Sequence, residues 1–113
     1  MPRDVLLVED AMIIALDAED MMRELGVETV RVTSNVNQAL KEIVERPPDF
    51  ALLDVNLGPE TSFKIAERLK ELGIRFAFAT GYGDDLAFPP AFANTPRLRK
   101  PYFSQSIREV LLG

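Results

Sequence analysis

Apolar residues along the chain form short continuous runs that alternate with stripes at helical spacing. Runs cover residues 5–8 and 50–53, a similar strand-like segment that includes Arg75 covers 74–79, and shorter strand-like pieces lie at Val30 with Val32 and at 97–99. Such runs are typical of strands buried on both faces. The intervening segments place apolar residues three or four positions apart, in four groups: Ile14, Ala18, Met21, Met22 and Leu25; Val36, Ala39, Leu40 and Ile43; Ile65, Ala66, Leu69 and Leu72; Ile107, Val110 and Leu111.

Glycine and proline mark the ends of these elements. Gly26 and Gly73 follow the first and third helical stripes, and Pro47-Pro48 ends the second. Thr61 or Ser62 is placed to cap the third helix. Residues 81–96 are rich in Gly, Pro, Asp and Asn, and no helix is predicted there.

Strands that alternate with helices predict an α/β fold with a parallel sheet and helices on both faces. The pattern favours a doubly wound, five-stranded parallel sheet of the flavodoxin-like type, with residues 1–113 as one domain. In such sheets the ligand crevice lies at the carboxyl ends of the strands. Candidate site residues are therefore sought there.

The amino-acid composition excludes several kinds of site and of binding partner. The chain has no cysteine and no histidine, which excludes disulfides, thiolate metal sites and a phosphohistidine carrier. Its net charge of −5 makes nucleic acid an unsuitable partner. No apolar run has the length of a membrane span, and the first ten residues lack a signal-peptide layout. We therefore expect a cytoplasmic protein that binds neither nucleic acid nor membrane.

Polar residues with complementary chemistry follow four of the predicted strands. They are Glu9 and Asp10, then Asp54, Thr80 and Lys100. Converging carboxylates repel one another unless a cation lies between them, and Mg²⁺ (or Mn²⁺) prefers such oxygen ligands. We expect Asp10 and Asp54 to bind the ion directly and Glu9 to act through a water. The backbone carbonyl of Asn56 is placed to add a ligand.

Each of these residues also has a structural interpretation on its own. Asp10 can cap a helix, Asp54 can sit in a turn, Thr80 is a normal strand residue, and Lys100 can be a solvated surface lysine. Their joint occurrence at the ends of different strands favours phosphoryl transfer. Asp54 is then the nucleophile that forms an acyl phosphate, while Lys100 and Thr80 contact phosphate oxygens.

Glu9-Asp10, Asp54, Thr80 and Lys100-Pro101 resemble the acidic pair, phosphoacceptor, switch hydroxyl and Lys-Pro motif of response-regulator receiver domains. The segment 78–82 resembles the Phe-Ala-Thr-Gly signature of a subgroup of single-domain receivers. The resemblance implies Mg²⁺-dependent phosphorylation of Asp54 by a histidine kinase, possibly of the HWE class, or by a phosphotransfer protein. It also implies a cis peptide bond before Pro101.

One position departs from the receiver pattern. Receivers usually carry an aromatic switch residue three positions before the lysine, and here that residue is Arg97. Tyr82, directly after Thr80-Gly81, is the candidate substitute, although a half-buried loop aromatic is an equal alternative. Tyr102 is expected to serve in packing. Phosphorylation is expected to draw Thr80 and Lys100 towards the phosphate and to reorder residues 81–96.

Two rival functions remain at this point. An Asp-nucleophile phosphatase would need a second aspartate two residues after the first, where this chain has Asn56. A pseudo-receiver scaffold usually lacks one of the site residues, and this sequence has all of them. We therefore expect a phosphoacceptor, not an enzyme with turnover, that signals through an unidentified protein partner or drains phosphate from a shared kinase.

Overall fold

The structure is a computed structural model that describes residues 1–81 and 88–113. Its main strands are β1 (Asp4–Val8), β2 (Thr29–Thr33), β3 (Phe50–Asp54), β4 (Arg75–Thr80) and β5 (Arg97–Arg99). The helices are α1 (Met12–Glu24), α2 (Val36–Glu45), α3 (Phe63–Glu71) and α4 (Ser104–Leu112). A small antiparallel hairpin, Asn56–Leu57 with Glu60–Thr61, follows β3.

The five main strands form one parallel sheet in the order β2-β1-β3-β4-β5. This order confirms the predicted flavodoxin-like sheet, since β1 lies between β2 and β3 and the later strands extend to one side. The connection after β1 leads to β2 on one side of the sheet, whereas the connection after β3 leads to β4 on the other side. The carboxyl ends of β1 and β3 therefore border the crevice expected of such folds.

The core lies on both faces of this sheet because neighbouring strand residues point in opposite directions. Val5 and Leu7 of β1 pack on the side covered by α1 and α4. Leu6 and Val8 pack on the side covered by α2 and α3. All four are fully buried, which explains why β1 reads as an uninterrupted apolar run.

The two predicted glycine stops are confirmed. Gly26 and Gly73 have φ values of 106° and 71°, a left-handed conformation that favours glycine. In each case the next residue donates its N–H back to the last helical turn, Val27 to Met22 at 3.0 Å and Ile74 to Leu69 at 2.9 Å. These bonds satisfy carbonyls that the helix end leaves open.

The N-terminal ends of the helices differ more from the predicted capping than the C-terminal ends do. The first helix has Ala11, not Asp10, at its N-cap, and Asp10 makes no capping bond. Ser62 holds the N-cap position of α3, but its hydroxyl is buried and bonds to none of the described residues. Only α2 has a side-chain cap among the helices described, from Asn35 to the N–H of Gln38 at 2.9 Å.

The segment before β5 contains no α-helix in its described part, residue 81 and residues 88–96, which hold a short 3-10 turn at Pro90–Phe92. A group of aromatic rings surrounds this turn, with neighbouring ring centroids 5.1–6.1 Å apart. Its members are Phe63, Phe76, Phe78, Phe88 and Phe92. Tyr82 lies outside the described residues. Within residues 1–81 and 88–113, no helix is both long and apolar enough to cross a bilayer.

Candidate functional site

Strand register brings the predicted site residues to one edge of the sheet. Val8 pairs with Leu53, Asp54 with Ala79, and Thr80 with Arg99. Glu9 and Lys100 directly follow β1 and β5, so both continue from strand ends at this edge. Thr80 also accepts a backbone hydrogen bond from the N–H of Lys100 at 2.8 Å. Parallel pairing thus gathers residues that are far apart in sequence.

The centre of the site is an ion-paired triad. Lys100 Nζ lies 3.0 Å from Glu9 Oε1 and 3.1 Å from Asp54 Oδ2. The side chains of Glu9, Asp54 and Lys100 are 0%, 4% and 16% exposed. Buried charges need partners at this distance, because desolvation would otherwise make them very costly. Lys100 is therefore not a solvated surface lysine in this state.

The triad contains more negative than positive charge, and its ionisation reflects this. Burial and the neighbouring Glu9 raise the pKa of Asp54 to about 8, against the opposing effect of Lys100. Burial also pushes the pKa of Glu9 upward, but hydrogen bonds with Asp54, Lys100 and the Ala11 N–H outweigh it and the net shift is downward. Burial lowers the pKa of Lys100, yet its two carboxylate partners raise it overall.

These shifts describe two carboxyl groups that compete for one ammonium group. The two shifts run in opposite directions, so without a further cation they favour the ionised form of Glu9 and the protonated form of Asp54. A second cation at the site would shift that balance, because it would stabilise the ionised form of Asp54. The site therefore favours cation binding and nucleophile ionisation together.

Three carboxyl groups are positioned to receive such a cation. Oxygens of Glu9, Asp10 and Asp54 all lie within 4.8 Å of one another. Asp10 is exposed while the other two are buried, so the cluster opens to solvent on the Asp10 side. Hard carboxylate oxygens with room for water fit Mg²⁺ or Mn²⁺. Asn56 lies in the hairpin opposite Thr61, and its predicted carbonyl ligand remains a prediction.

The remaining site residues flank this cluster. Thr80 ends β4 and is half-buried. The Lys100–Pro101 peptide is cis, as the resemblance implied. Tyr102 packs into the core on the α1 and α4 side, as expected, and is 6% exposed.

Arg97 occupies the position where receivers usually have an aromatic residue. Its guanidinium carbon lies 3.6 Å from the centroid of the Phe88 ring, a close cation–π contact. The contact ties β5 to the segment that follows residues 82–87. The sequence offered no signal for it, because the two residues are joined only by the tertiary fold.

Sequence reasoning also missed two features of the site. It assigned Lys100 to phosphate and did not foresee its bond to Glu9. It also overlooked exposed apolar side chains near the site, Met12, Ile13, Leu16 and Phe103, which are 52–79% exposed. The helical stripe had a detectable signal here, because Met12, Ile13 and Leu16 fall off the core-facing positions of α1.

Comparison with solved structures identifies the family. SdrG from Sphingomonas melonis Fr1 is 35% identical, with 96% of this chain and 92% of that chain covered and a TM-score of 0.85. A CheY-like response regulator receiver domain from Methylobacillus flagellatus shares the fold at a TM-score of 0.84, with 22% identity over 99% and 98% of the two chains. The chain belongs to the response-regulator receiver family.

Further comparisons agree with this assignment. A structure described as the BeF3-activated conformation of SdrG from Pseudomonas melonis Fr1 is 37% identical to this receiver domain, at a TM-score of 0.79 and coverage of 96% and 92%. The sensory transduction protein LytT of Bacillus subtilis (strain 168) is 29% identical over 111 residues, or 95% of this chain. The receiver domain spans 46% of the length of that protein. No protein-family model matches the sequence.

Proposed function

We propose that this receiver domain accepts a phosphoryl group on Asp54 from a phosphohistidine, carried by a histidine kinase, for which the HWE class is a candidate, or by a phosphotransfer protein. The phosphorylated form then binds a downstream protein, or the domain serves as a phosphate sink. The main support is the buried placement of Asp54 beside Lys100, at 3.1 Å, within a carboxylate cluster suited to Mg²⁺ or Mn²⁺. A cytoplasmic location is part of the same proposal.

The transfer would proceed by attack of an Asp54 carboxylate oxygen on phosphorus. The P–O bond to Asp54 forms as the P–N bond to the donor imidazole breaks, and the electron pair leaves with the imidazole nitrogen. Lys100 is close enough to exchange its carboxylate contact for a phosphoryl oxygen, and Thr80 can donate a hydrogen bond to another. When bound by Asp10 and Asp54, a divalent cation would offset negative charge on the transferring group.

A protein donor is supported by the surface next to the site. Ile13 and Leu16 of α1 are 79% and 52% exposed, and Phe103, three residues after Lys100, is 65% exposed. Helix α1 packs against α4, which begins just after Phe103. Apolar side chains grouped on a surface favour a protein contact. A small phosphodonor alone would not require them.

Incubation with acetyl phosphate and Mg²⁺, followed by intact-protein mass spectrometry, tests the proposal. We expect the wild type to gain one phosphoryl group and Asp54→Asn to gain none, because the amide cannot act as the nucleophile. Asp17→Asn, an exposed carboxylate on α1, is the matched control and should label normally. EDTA should prevent labelling.

Three results would contradict the proposal. Labelling of Asp54→Asn at the wild-type level would place the phosphoryl group elsewhere. A folded wild type that takes no label would indicate a pseudo-receiver, while repeated turnover of a generic phosphomonoester would indicate a phosphatase. Partner binding measured with and without beryllofluoride separates an effector from a sink, since only an effector changes affinity on activation.

A further inference from the structure

A tight hairpin turn lies just after the proposed nucleophile. The antiparallel pairing of the small hairpin, Asn56–Leu57 with Glu60–Thr61, leaves Gly58 and Pro59 as its turn. Gly58 has a φ of 73°, whereas proline at the second turn position is restricted to negative φ. This combination is that of a type II′ turn, which selects glycine at its first central position. The hairpin therefore closes because residue 58 is glycine.

Hydrogen bonds at the base of this hairpin hold the residue that follows Asp54. The N–H of Val55 donates to the carbonyl of Ala79 in β4 at 3.1 Å, and the carbonyl of Val55 accepts from the N–H of Ser62 at 3.0 Å. Val55 and Ser62 are both 0% exposed, and Leu57 within the hairpin is 4% exposed. The two backbone groups of Val55 are thus fixed, one by the sheet and the other by the residue that follows the hairpin.

The hairpin restrains Asp54 on the side that its own strand does not reach. Because β3 ends at Asp54, the chain beyond the carboxylate is held by the two bonds of Val55. A metal ligand or nucleophile must be held to within roughly 0.5 Å of its productive position. Asp54 serves as both in the function proposed above, and its side chain is 4% exposed and 3.1 Å from Lys100. A loosened hairpin would therefore displace this carboxylate.

We propose that Gly58 is a positioning residue: its turn closes the hairpin, and the closed hairpin fixes Val55 and through it the Asp54 carboxylate. The inference rests on the proposed function, which makes Asp54 both a ligand of the cation and the nucleophile. Gly58 acts through the backbone of residues 55–62 and not by contact with the cation or the phosphoryl group. Its exposed place at the tip of the hairpin separates this role from packing in the core.

Gly73 supplies a matched control for a substitution at Gly58. The two glycines have φ values of 71° and 73°, and a Cβ atom added at either position would meet no neighbouring atom within 4 Å. Gly73 lies between α3 and the amino end of β4, at the edge of the sheet opposite the site. Alanine is strained at both positions for the same reason, so Gly58→Ala and Gly73→Ala should lower the urea midpoint by similar amounts.

Affinity for Mg²⁺ alone, measured by isothermal titration calorimetry, separates positioning from stability. We expect Gly58→Ala to bind Mg²⁺ about ten-fold more weakly than wild type, a loss typical of changes that disturb the orientation of a metal ligand, whereas Gly73→Ala should stay within about two-fold. Phosphorylation of Asp54 by acetyl phosphate at saturating Mg²⁺ should slow in Gly58→Ala and not in Gly73→Ala, because only the first displaces the nucleophile.

Two further measurements test the route through the hairpin. Gly58→Asn should bind Mg²⁺ only about three-fold more weakly than wild type, since asparagine adopts positive φ more readily than alanine. Amide hydrogen exchange at Ser62 should be faster in Gly58→Ala than in Gly73→Ala, because the Ser62 N–H holds the base of the hairpin. If Gly58→Ala does not fold, Gly58→Asn and Gly73→Asn replace the alanine pair.

The outcomes separate this inference from the proposed function. Equal Mg²⁺ affinities of Gly58→Ala and Gly73→Ala would overturn the positioning role and leave Gly58 as a turn residue that contributes only stability. A weaker affinity with unchanged exchange at Ser62 would overturn the route through the base of the hairpin. A wild type that binds Mg²⁺ but accepts no phosphoryl group on Asp54 would overturn the proposed function and not the role of Gly58. A wild type that binds no Mg²⁺ would overturn both.

Discussion

Two clusters of acidic and basic side chains lie at different places in the fold and have different charge balances. The site cluster consists of Glu9, Asp10, Asp54 and Lys100. The Arg31 cluster consists of Asp4, Arg31, Glu42 and Arg46 and lies where β2 meets α2 and the start of β1. Two arginines balance two carboxylates in the Arg31 cluster, whereas one lysine faces three carboxylates in the site cluster.

The two clusters also differ in how completely hydrogen bonds satisfy their charged groups. Arg31 contacts both oxygens of Asp4 at 3.0 Å, Glu42 at 3.0 Å and the carbonyl of Arg46 at 2.9 Å. Four of the five N–H donors of this guanidinium make these bonds, so the carboxylates of Asp4 and Glu42 share one close cationic partner. The site cluster retains excess negative charge and a pKa of about 8 at Asp54. The two clusters therefore differ in charge balance and not in the presence of an ion pair, and it is the unbalanced cluster that we propose as the functional one.

The largest expected effect concerns the cation of the site cluster. Lys100→Met should slow phosphorylation of Asp54 by acetyl phosphate about 100-fold, because it removes the fixed charge that faces the transferring oxygens. Stopped reactions followed by mass spectrometry measure the rate. Lys100→Arg should recover part of it, since the charge returns on a different geometry. A rate for Lys100→Met within a few-fold of wild type would show that Lys100 serves only to pair with Glu9.

The next effect tests the Arg31 cluster, which should govern stability and not phosphorylation. Arg31→Met should lower the free energy of unfolding by about 2 kcal/mol, because it leaves the partly buried carboxylates without their shared donor. Urea denaturation measures this, and the phosphorylation rate should not change. Arg3→Met is the control, because the Arg3–Glu28 pair is 80% and 60% exposed and its loss should have no measurable effect. Slower phosphorylation in Arg31→Met would contradict the division between the clusters.

The last prediction concerns how the stability of the metal-free protein depends on pH. Between pH 3.8, the ordinary pKa of an aspartate, and about 8, folded Asp54 holds a proton that the unfolded chain lacks, so rising pH destabilises the metal-free fold. The lowered pKa of Glu9 and the raised pKa of Lys100 act outside the range from pH 5 to pH 8. Asp54→Asn should therefore gain stability relative to wild type as the pH rises from 5 to 8, because the variant has no proton to lose at this position.

Urea denaturation in EDTA at pH 5 and pH 8 measures that gain. Asp49→Asn, an exposed carboxylate at the start of β3, supplies the control and should show no such pH dependence. A constant difference between Asp54→Asn and wild type at the two pH values would mean that Asp54 is ionised in the metal-free protein.

Much of the fold could be predicted because local and global signals agree. The buried runs of β1 and β3 could only be strands covered on both faces, and Gly26 and Gly73 ended helices as predicted. The helix starts were less predictable. Ala11, and not Asp10, holds the first N-cap position, and the Asp10 carboxylate lies in the cluster with Glu9 and Asp54.

The sequence by itself determined which chemical groups stand at the strand ends, because the apolar runs set where each strand stops. Asp54 and Thr80 are the last residues of their strands, and Glu9 and Lys100 directly follow theirs. Only the tertiary structure decided how they pair. Parallel register placed Lys100 between two carboxylates, and burial set their charges. The tertiary structure also placed the guanidinium of Arg97 over the ring of Phe88. Such contacts depend on distances between strands, which the order of residues along the chain does not encode locally.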